Sequence, residues 1–352
     1  MNDSKIKKMY ESIGLPRLII FCFFLILLIA AAPLGLSVPD LLGDCVRRWG
    51  MYGVLVLAMV PAVQCGIGLN FGISLGIVSG LLGALITIEM GIANPWIAIF
   101  LAMGLSLIFG LIMGAAYGVL LNKVKGSEMT VSTYVGFSII AFMNIMWLSL
   151  PFKSGEIIWP LGGSGMRNTI SLASSFGEVF NRFLSFSIGK LFIPTGLLLF
   201  FFIMCVIVWL FMRSKIGLAM SAAGASPTFA HSTGINVDKM RILGTSVSTA
   251  LAAVGIIVYA QGYGFLQLYN APLMMPFHCV AAILIGGATV SKARISHVLL
   301  GTFLFQGILA VALPVVNKIL PESNLSDVIR IIISNGIILY ALSKTKGGRG
   351  GE

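Results

Sequence analysis

Residues 212–241 read MRSKIGLAMSAAGASPTFAHSTGINVDKMR. They form a long polar interruption in a chain that is otherwise almost all apolar. Basic residues bracket it: Arg213 and Lys215 at one end, Lys239 and Arg241 at the other. Everything on either side reads as membrane. Hydrophobic residues make up 58% of the chain and charged residues 10%, with a mean hydropathy of +1.00, whereas soluble domains carry roughly a quarter charged residues. Apolar runs near the ~20 residues needed to cross a bilayer recur along the chain. The expected fold class is therefore all-α, a polytopic transmembrane helical bundle in a single domain over 1–352.

The net charge of +11 does not call for nucleic acid. Cytosolic loops of membrane proteins are biased to Lys and Arg. The 41 glycines are spread through apolar segments, where small residues let helices approach closely. Cys22, Cys45, Cys65, Cys205 and Cys279 are scattered without a CxxC or Cys/His cluster, so they read as buried free thiols, with no disulfide framework and no metal site. The N-terminus carries Lys5, Lys7, Lys8 and Arg17 before an apolar run, like a signal peptide. That run, 18–36, is long for a signal and is followed by more spans, so it is expected to remain as the first helix.

Ten spans are expected, at 18–36, 50–69, 71–90, 95–121, 129–150, 191–212, 238–262, 276–290, 297–317 and 327–343; eight is the count if two short segments only re-enter. With the N-terminus inside, fifteen of the twenty-three basic residues fall on inside segments. Those segments are the tail 1–17, Lys123 and Lys125, the loop 213–241, Lys292 and Arg294, and the tail 344–352. The outer loop 151–190 holds four of the remaining eight. It is long enough for an interfacial helix. The expected orientation is N-in and C-in.

Glycines crowd the junction Gln64 to Gly76, with Asn70 and Ser74 among them, which makes a poor continuous helix. Two readings stand: a tight turn between helices, or a broken helix lining a solute path. Asn70 and Ser74, with Phe265 and Gln267 from the polar, aromatic stretch 261–270, are the candidate path residues, although for each of them helix packing is the simpler explanation. No acid–base pair sits at mid-membrane, so energy for transport is expected from a partner rather than from an ion gradient. No P-loop, GxSxG or HExxH is present, and His231, His278 and His297 are far apart, so enzymatic chemistry is not expected.

The opening stretch has local structure written into it. Ser226 suits an N-cap and Pro227 the first helical position. Thr228 to Ser232 then make a turn or two of helix. Gly234 suits a left-handed C-cap, and Asn236 or Asp238 caps the next span. A plain connector needs neither ~25 residues nor paired caps.

The run SKIGLAMSAAGASP (214–227) followed by AHSTGINV (230–237) resembles the cytosolic loop of bacterial ABC-importer permeases of the ribose/simple-sugar and branched-chain amino acid superfamily. CVAAILIGGA (279–288) is similar to that family's AAxxLGG segment, and GIGLNFG (66–72) to its GGIDLSVG segment. Gly68 stands for the family's Asp and Asn70 for its Ser, and Ser291-Lys292-Ala293-Arg294 replaces its following glycines. If the family's Asp touches a sugar hydroxyl, Gly68 argues against ribose as cargo.

The resemblance implies ten helices per subunit and an inverted repeat of helices 2–5 and 7–10. It implies a coupling helix carried by Gly224, Ser226, Pro227, Thr228, His231, Ser232, Gly234 and Asn236 that seats on an ABC ATPase subunit. ATP and Mg would lie on that ATPase, with no cofactor on this chain. A second permease subunit, identical or homologous, and an extracytoplasmic substrate-binding protein complete the implied assembly in a bacterial cytoplasmic membrane. The cargo would be a small polar solute, a simple sugar first, with a nucleoside, flavin-like solute or amino acid as alternatives. An ion-coupled secondary carrier is the rival mechanism.

Overall fold

A computed structural model describes residues 15–158 and 165–319, and positions 332, 335, 336 and 339. The expected tenth span, 327–343, and the tails 1–14 and 344–352 lie outside the described residues, those four positions excepted. Each of the other nine expected spans contains helix, although residues 191–193 of the sixth form a strand and residues 65–69 and 286–290 are not helical. Among the described residues, seven helical stretches are long and apolar enough to cross a membrane, and two shorter apolar helices accompany them.

The chain runs α1 (Leu15–Ala31), α2 (Val38–Leu57), α3 (Met59–Gln64), a 3-10 turn (Phe71–Ile73), α4 (Ser74–Glu89), α5 (Pro95–Lys123) and α6 (Glu128–Ser149). After β1 (Thr169–Ser171), α7 (Val179–Arg182), β2 (Phe186–Ile188) and β3 (Leu191–Ile193) come α8 (Thr195–Arg213), α9 (Lys215–Ala225) and α10 (Pro227–Ser232). It closes with α11 (Val237–Tyr263), β4 (Phe265–Gln267), α12 (Asn270–Ile285) and α13 (Ile295–Ile319).

Helix α11 is the centre of the bundle, and glycine stripes let its neighbours reach it. A Cβ added at Gly110, Gly114 or Gly118 of α5 would come within 2.8, 2.7 and 2.8 Å of the Cα atoms of Ala250, Ser246 and Ile242. One at Gly76 or Gly80 of α4 would come within 2.4 and 2.5 Å of the carbonyls of Thr249 and Ala253. Each stripe has a four-residue period, which puts its glycines on one face of their helix. Where lipid removes the hydrophobic drive between helices, such backbone proximity supplies the van der Waals gain.

Helix boundaries depart from the expected ones for identifiable reasons. The second span starts at Val38, not 50, because an amphipathic first half carrying Asp40, Asp44, Arg47 and Arg48 continues into the apolar half. Pro61 has no N–H to give Leu57, and the helix breaks at Ala58 into α2 and α3. The eighth span starts at Asn270, not 276, and contains Pro272 and Pro276.

The loop 151–190 holds no long interfacial helix among its described residues. It contributes β1, which pairs antiparallel with β4 through Thr169↔Gln267 and Ser171↔Phe265, and β2, which forms a hairpin with β3. The one-turn α7 is stitched to the end of α11: Phe180 N–H donates to Gln261 Oε1 at 3.1 Å and Asn181 Nδ2 to the Gly262 carbonyl at 2.9 Å. Glu89 anchors the same loop by accepting from the amides of Lys153 and Ser154, both at 3.0 Å. The bundle thus has a sheet end and an opposite, α9–α10 end.

Candidate functional site

The segment 212–241 is more helical than its sequence suggested. Ser214 Oγ accepts from Gly217 N–H at 3.2 Å and starts α9, eleven residues of helix where only the later turn was expected. Ser226 caps α10, accepting from Phe229 N–H at 3.4 Å, with Pro227 at its first position. The helix ends in a Schellman motif. Gly234 sits at φ +81°, its N–H bonds the His231 carbonyl at 3.1 Å, and Ile235 N–H bonds the Ala230 carbonyl at 2.9 Å. Asn236, not Asp238, caps α11 by accepting from Lys239 N–H at 3.0 Å.

These caps turn most of the expected coupling residues outward. Ser226, Pro227, Thr228, His231, Ser232, Gly234 and Asn236 are all exposed, while Ala230 is buried beneath them. Phe229 is 61% exposed at the centre of the group. An apolar ring held out on a capped helix is the anchor a docking surface needs, and the sequence reading passed over it.

Gly224 faces the other way. A Cβ there would lie 2.2 Å from the Gln64 carbonyl and 2.6 Å from the Gly66 amide. The backbone of α9 therefore touches the backbone of the turn after α3. Met220 of α9 and Cys65 of the turn share a small buried cluster with Ile67, Leu75, Tyr117 and Leu121. Burial pushes the Cys65 thiol up to about 12.

That turn is an elbow joining antiparallel helices, so the tight-turn reading of 64–76 holds. It also ends α3 in a Schellman motif, with Gly66 at φ +82°, Gly66 N–H on the Val63 carbonyl and Ile67 N–H on the Ala62 carbonyl, both at 3.2 Å. Gln64 Nε2 donates to the Ala293 carbonyl, which brings in the loop between α12 and α13. Asn70 is sealed inside. Tyr117 O–H donates to its Oδ1 at 3.0 Å, and its Nδ2 donates to Ser248 Oγ at 3.3 Å. It ties the elbow to α5 and α11.

One turn further, Ser74 Oγ donates to the Pro272 carbonyl at 3.0 Å. Pro276 cannot supply the N–H that carbonyl would receive in a regular helix, so Ser74 takes its place. Ser74 also lines a narrow, half-open cleft between the elbow, α6 and α12, with a volume of about 10 Å³, room for about one water. The other walls are Phe71, Thr133, Gly136, Phe137, Ile140, Leu273, Pro276 and Phe277. Phe277 stands 5.8 Å from Phe71 and 6.3 Å from Phe137, centroid to centroid.

The cleft walls carry no charged side chain. Both wall hydroxyls spend their protons elsewhere, Ser74 on Pro272 and Thr133 on the Met129 carbonyl at 2.9 Å. Their lone pairs remain, so the cleft offers apolar ring faces and hydrogen-bond acceptors. Phe265 and Gln267 are on β4 at the sheet end, paired with β1. The structure thus brings Ser74, with Asn70 behind it, to the cleft, while Phe265 and Gln267 lie on β4 and are not among its walls.

A second link joins α6 to the α9–α10 end. Arg241, in the first turns of α11, holds Glu128, the first residue of α6, at 2.6 Å, with side chains only 8% and 14% exposed. Beside it, Lys125 pairs with Asp238 at 2.6 Å.

A family profile described as "Branched-chain amino acid transport system / permease component" matches residues 42–337. The chain belongs to that permease family. The resemblance read from 214–237, 279–288 and 66–72 is borne out. Three curated relatives are permeases too. The nucleoside ABC transporter permease protein NupB of Lactococcus lactis is 23% identical over 186 residues, 52% of this chain and 49% of the relative. The probable ABC transporter permease protein YphD of Escherichia coli is 33% identical over 156 residues, 44% of each. The autoinducer 2 import system permease protein LsrC of Yersinia pseudotuberculosis is 25% identical over 236 residues, 63% of this chain and 61% of the relative. The chain spans about half the length of the curated relatives it matches. No solved structure matches it. This permease is a multi-pass protein of the cytoplasmic membrane, and its relatives are transport subunits, not enzymes.

Proposed function

We propose that this permease is the membrane subunit of an ATP-driven importer, and that it carries a small neutral ring solute, a simple sugar or a nucleoside. The observation that carries the reading is the contact of Gly224 with the Gln64–Gly66 backbone. Through it, α9 and α10 meet an elbow whose next residues, Phe71 and Ser74, wall the cleft. An ABC ATPase subunit docks on the exposed α10 face around Phe229. Its closure on ATP shifts α9, the elbow follows, and the cleft changes shape. ATP and Mg belong to that partner. A second permease copy or homologue faces this one, and a substrate-binding protein delivers the solute at the sheet end. That arrangement puts the α9–α10 end in the cytosol, in keeping with the Lys and Arg residues gathered there.

The cargo class follows from the cleft chemistry. The cleft holds about 10 Å³ in this state, so it must widen to admit cargo; its phenyl faces then stack on a flat ring, and its acceptor-only hydroxyls receive O–H or N–H groups. A zwitterionic amino acid would leave its charges unpaired there, at a heavy desolvation cost. The relatives named for a nucleoside and for autoinducer 2 accord with this choice.

Proteoliposomes containing the permease, its cognate ATPase and its binding protein test the reading. Uptake of labelled sugars or nucleosides is expected only with ATP on the ATPase side, and ionophores leave it unchanged. Uptake by the permease alone, driven by an ion gradient, makes it a secondary carrier and sinks the proposal.

A further inference from the structure

The chain between α7 and α8 is apolar and uncovered. Phe183 is 42% exposed, Leu184 59%, Phe186 48%, Ile188 64% and Phe192 41%. Pairing of Phe186 with Ile193 and of Ile188 with Leu191 puts four apolar side chains on one face of the β2–β3 hairpin. The hairpin leans on α2 through β3, where the Phe192 backbone lies against Gly43. Among the described residues, the outer edge of β2 has no strand partner. In water such a hairpin is barely stable, and its apolar edge invites aggregation.

Helix α8 fixes the depth at which the hairpin lies. It starts one residue after β3, with only Pro194 between. Its 19 residues contain no charge before Arg213 and expose Leu199, Phe202, Ile203, Val206 and Ile207. Nineteen residues span ~28 Å, close to the ~30 Å of a hydrocarbon core. At one margin Arg213 covers the Trp209 ring at 4.1 Å. The hairpin therefore sits at the other margin. There Trp96 meets Phe183 edge-on at 5.1 Å and stacks near Phe100, the aromatic pairing typical of a membrane boundary. At the tip, Gly189 turns at φ +62° and is followed by the exposed Lys190, a side chain long enough to carry its amine from an apolar surface to a lipid phosphate.

We infer that the β2–β3 hairpin is an anchor inserted in the headgroup–acyl boundary of the leaflet at the sheet end, with lipid as its partner. It pins the segment that leads from β1 to α8, and so holds the β1–β4 pair at a fixed height above the bundle. This inference stands apart from the transport reading, since it needs only the depth of α8 and the exposure of the hairpin.

Full-length protein in nanodiscs tests it. Ile188→Cys in a cysteine-free background carries a bimane label, and Ile203→Cys on the lipid face of α8 serves as the reference. Brominated phosphatidylcholine is expected to strip emission from both positions, while aqueous iodide leaves position 188 unquenched. Quenching at 188 by iodide alone puts the hairpin in water and overturns the inference. Quenching by neither, with 203 responding, puts the hairpin under another protein chain and overturns it equally. A second label at Phe186→Cys repeats the reading on the same face.

Discussion

The Glu128–Arg241 pair offers the sharpest energetic prediction. Both side chains are nearly buried, and the guanidinium Nε already lacks a partner. Glu128 has a further tie, accepting from Gly126 N–H at 2.9 Å. Removing one member of a buried pair strands the other, at about 3–5 kcal/mol, whereas exposed pairs give about 0.2–1 kcal/mol. Glu128→Gln leaves a buried cation with two unmet needs and is expected to cost about 3 kcal/mol. Arg241→Gln leaves a carboxylate that keeps its Gly126 bond and more solvent, so it is expected to cost less. The double variant is expected to be milder than the two single losses summed, with a coupling of about 2 kcal/mol. Unfolding titrations of the four proteins in mixed micelles give the cycle. A coupling below about 0.5 kcal/mol means the pair behaves as an exposed one, and the strut between α11 and α6 is then not structural.

Three more outcomes follow from the geometry. Ser74→Ala strips the Pro272 carbonyl of its donor and is expected to cost about 1–3 kcal/mol; adding Pro276→Ala, which restores a backbone N–H, should recover most of it, and an unrescued double variant refutes the donor-substitution account. Cys65, capped by α9 and held protonated by burial, should resist maleimide at neutral pH in the intact protein; Gly224→Val, whose side chain overlaps the Gln64 carbonyl, should expose it to labelling, and equal rates in both proteins would mean that α9 does not cover the elbow. Gly114→Leu on α5 drives a side chain into the Ser246 backbone of α11 and should lower thermal stability far more than Gly104→Leu, where an added Cβ meets nothing within 4 Å.

What the sequence disclosed was mostly local. Ser226, Pro227, Gly234 and Asn236 each act within three or four residues, so their capping roles could be read without a structure. Membrane class and the run of apolar helices came from composition and run length, which do not depend on contacts. Helix α9 escaped because Gly217 and Gly224 weaken helix propensity and its apolar residues are too evenly spread to suggest a face; Ser214 was the one signal for it. The inward turn of Gly224 depends on Gln64, 160 positions away, and the Ser74–Pro272 and Glu128–Arg241 bonds span comparable distances. No pattern along the chain announces such pairs. Phe229 was legible in principle, as the lone large apolar residue inside a doubly capped polar turn.

The central claim is that α10 seats an ATPase. Co-purification of the permease with its cognate ATP-binding cassette subunit tests it most directly, comparing the native chain with Phe229→Asp. Phe229 is exposed and makes no side-chain bond that folding needs, so the variant should keep the native stability. The account predicts a stoichiometric complex for the native chain and loss of the ATPase from the variant. A variant that still carries its full complement of ATPase and still drives ATP-dependent uptake contradicts the account.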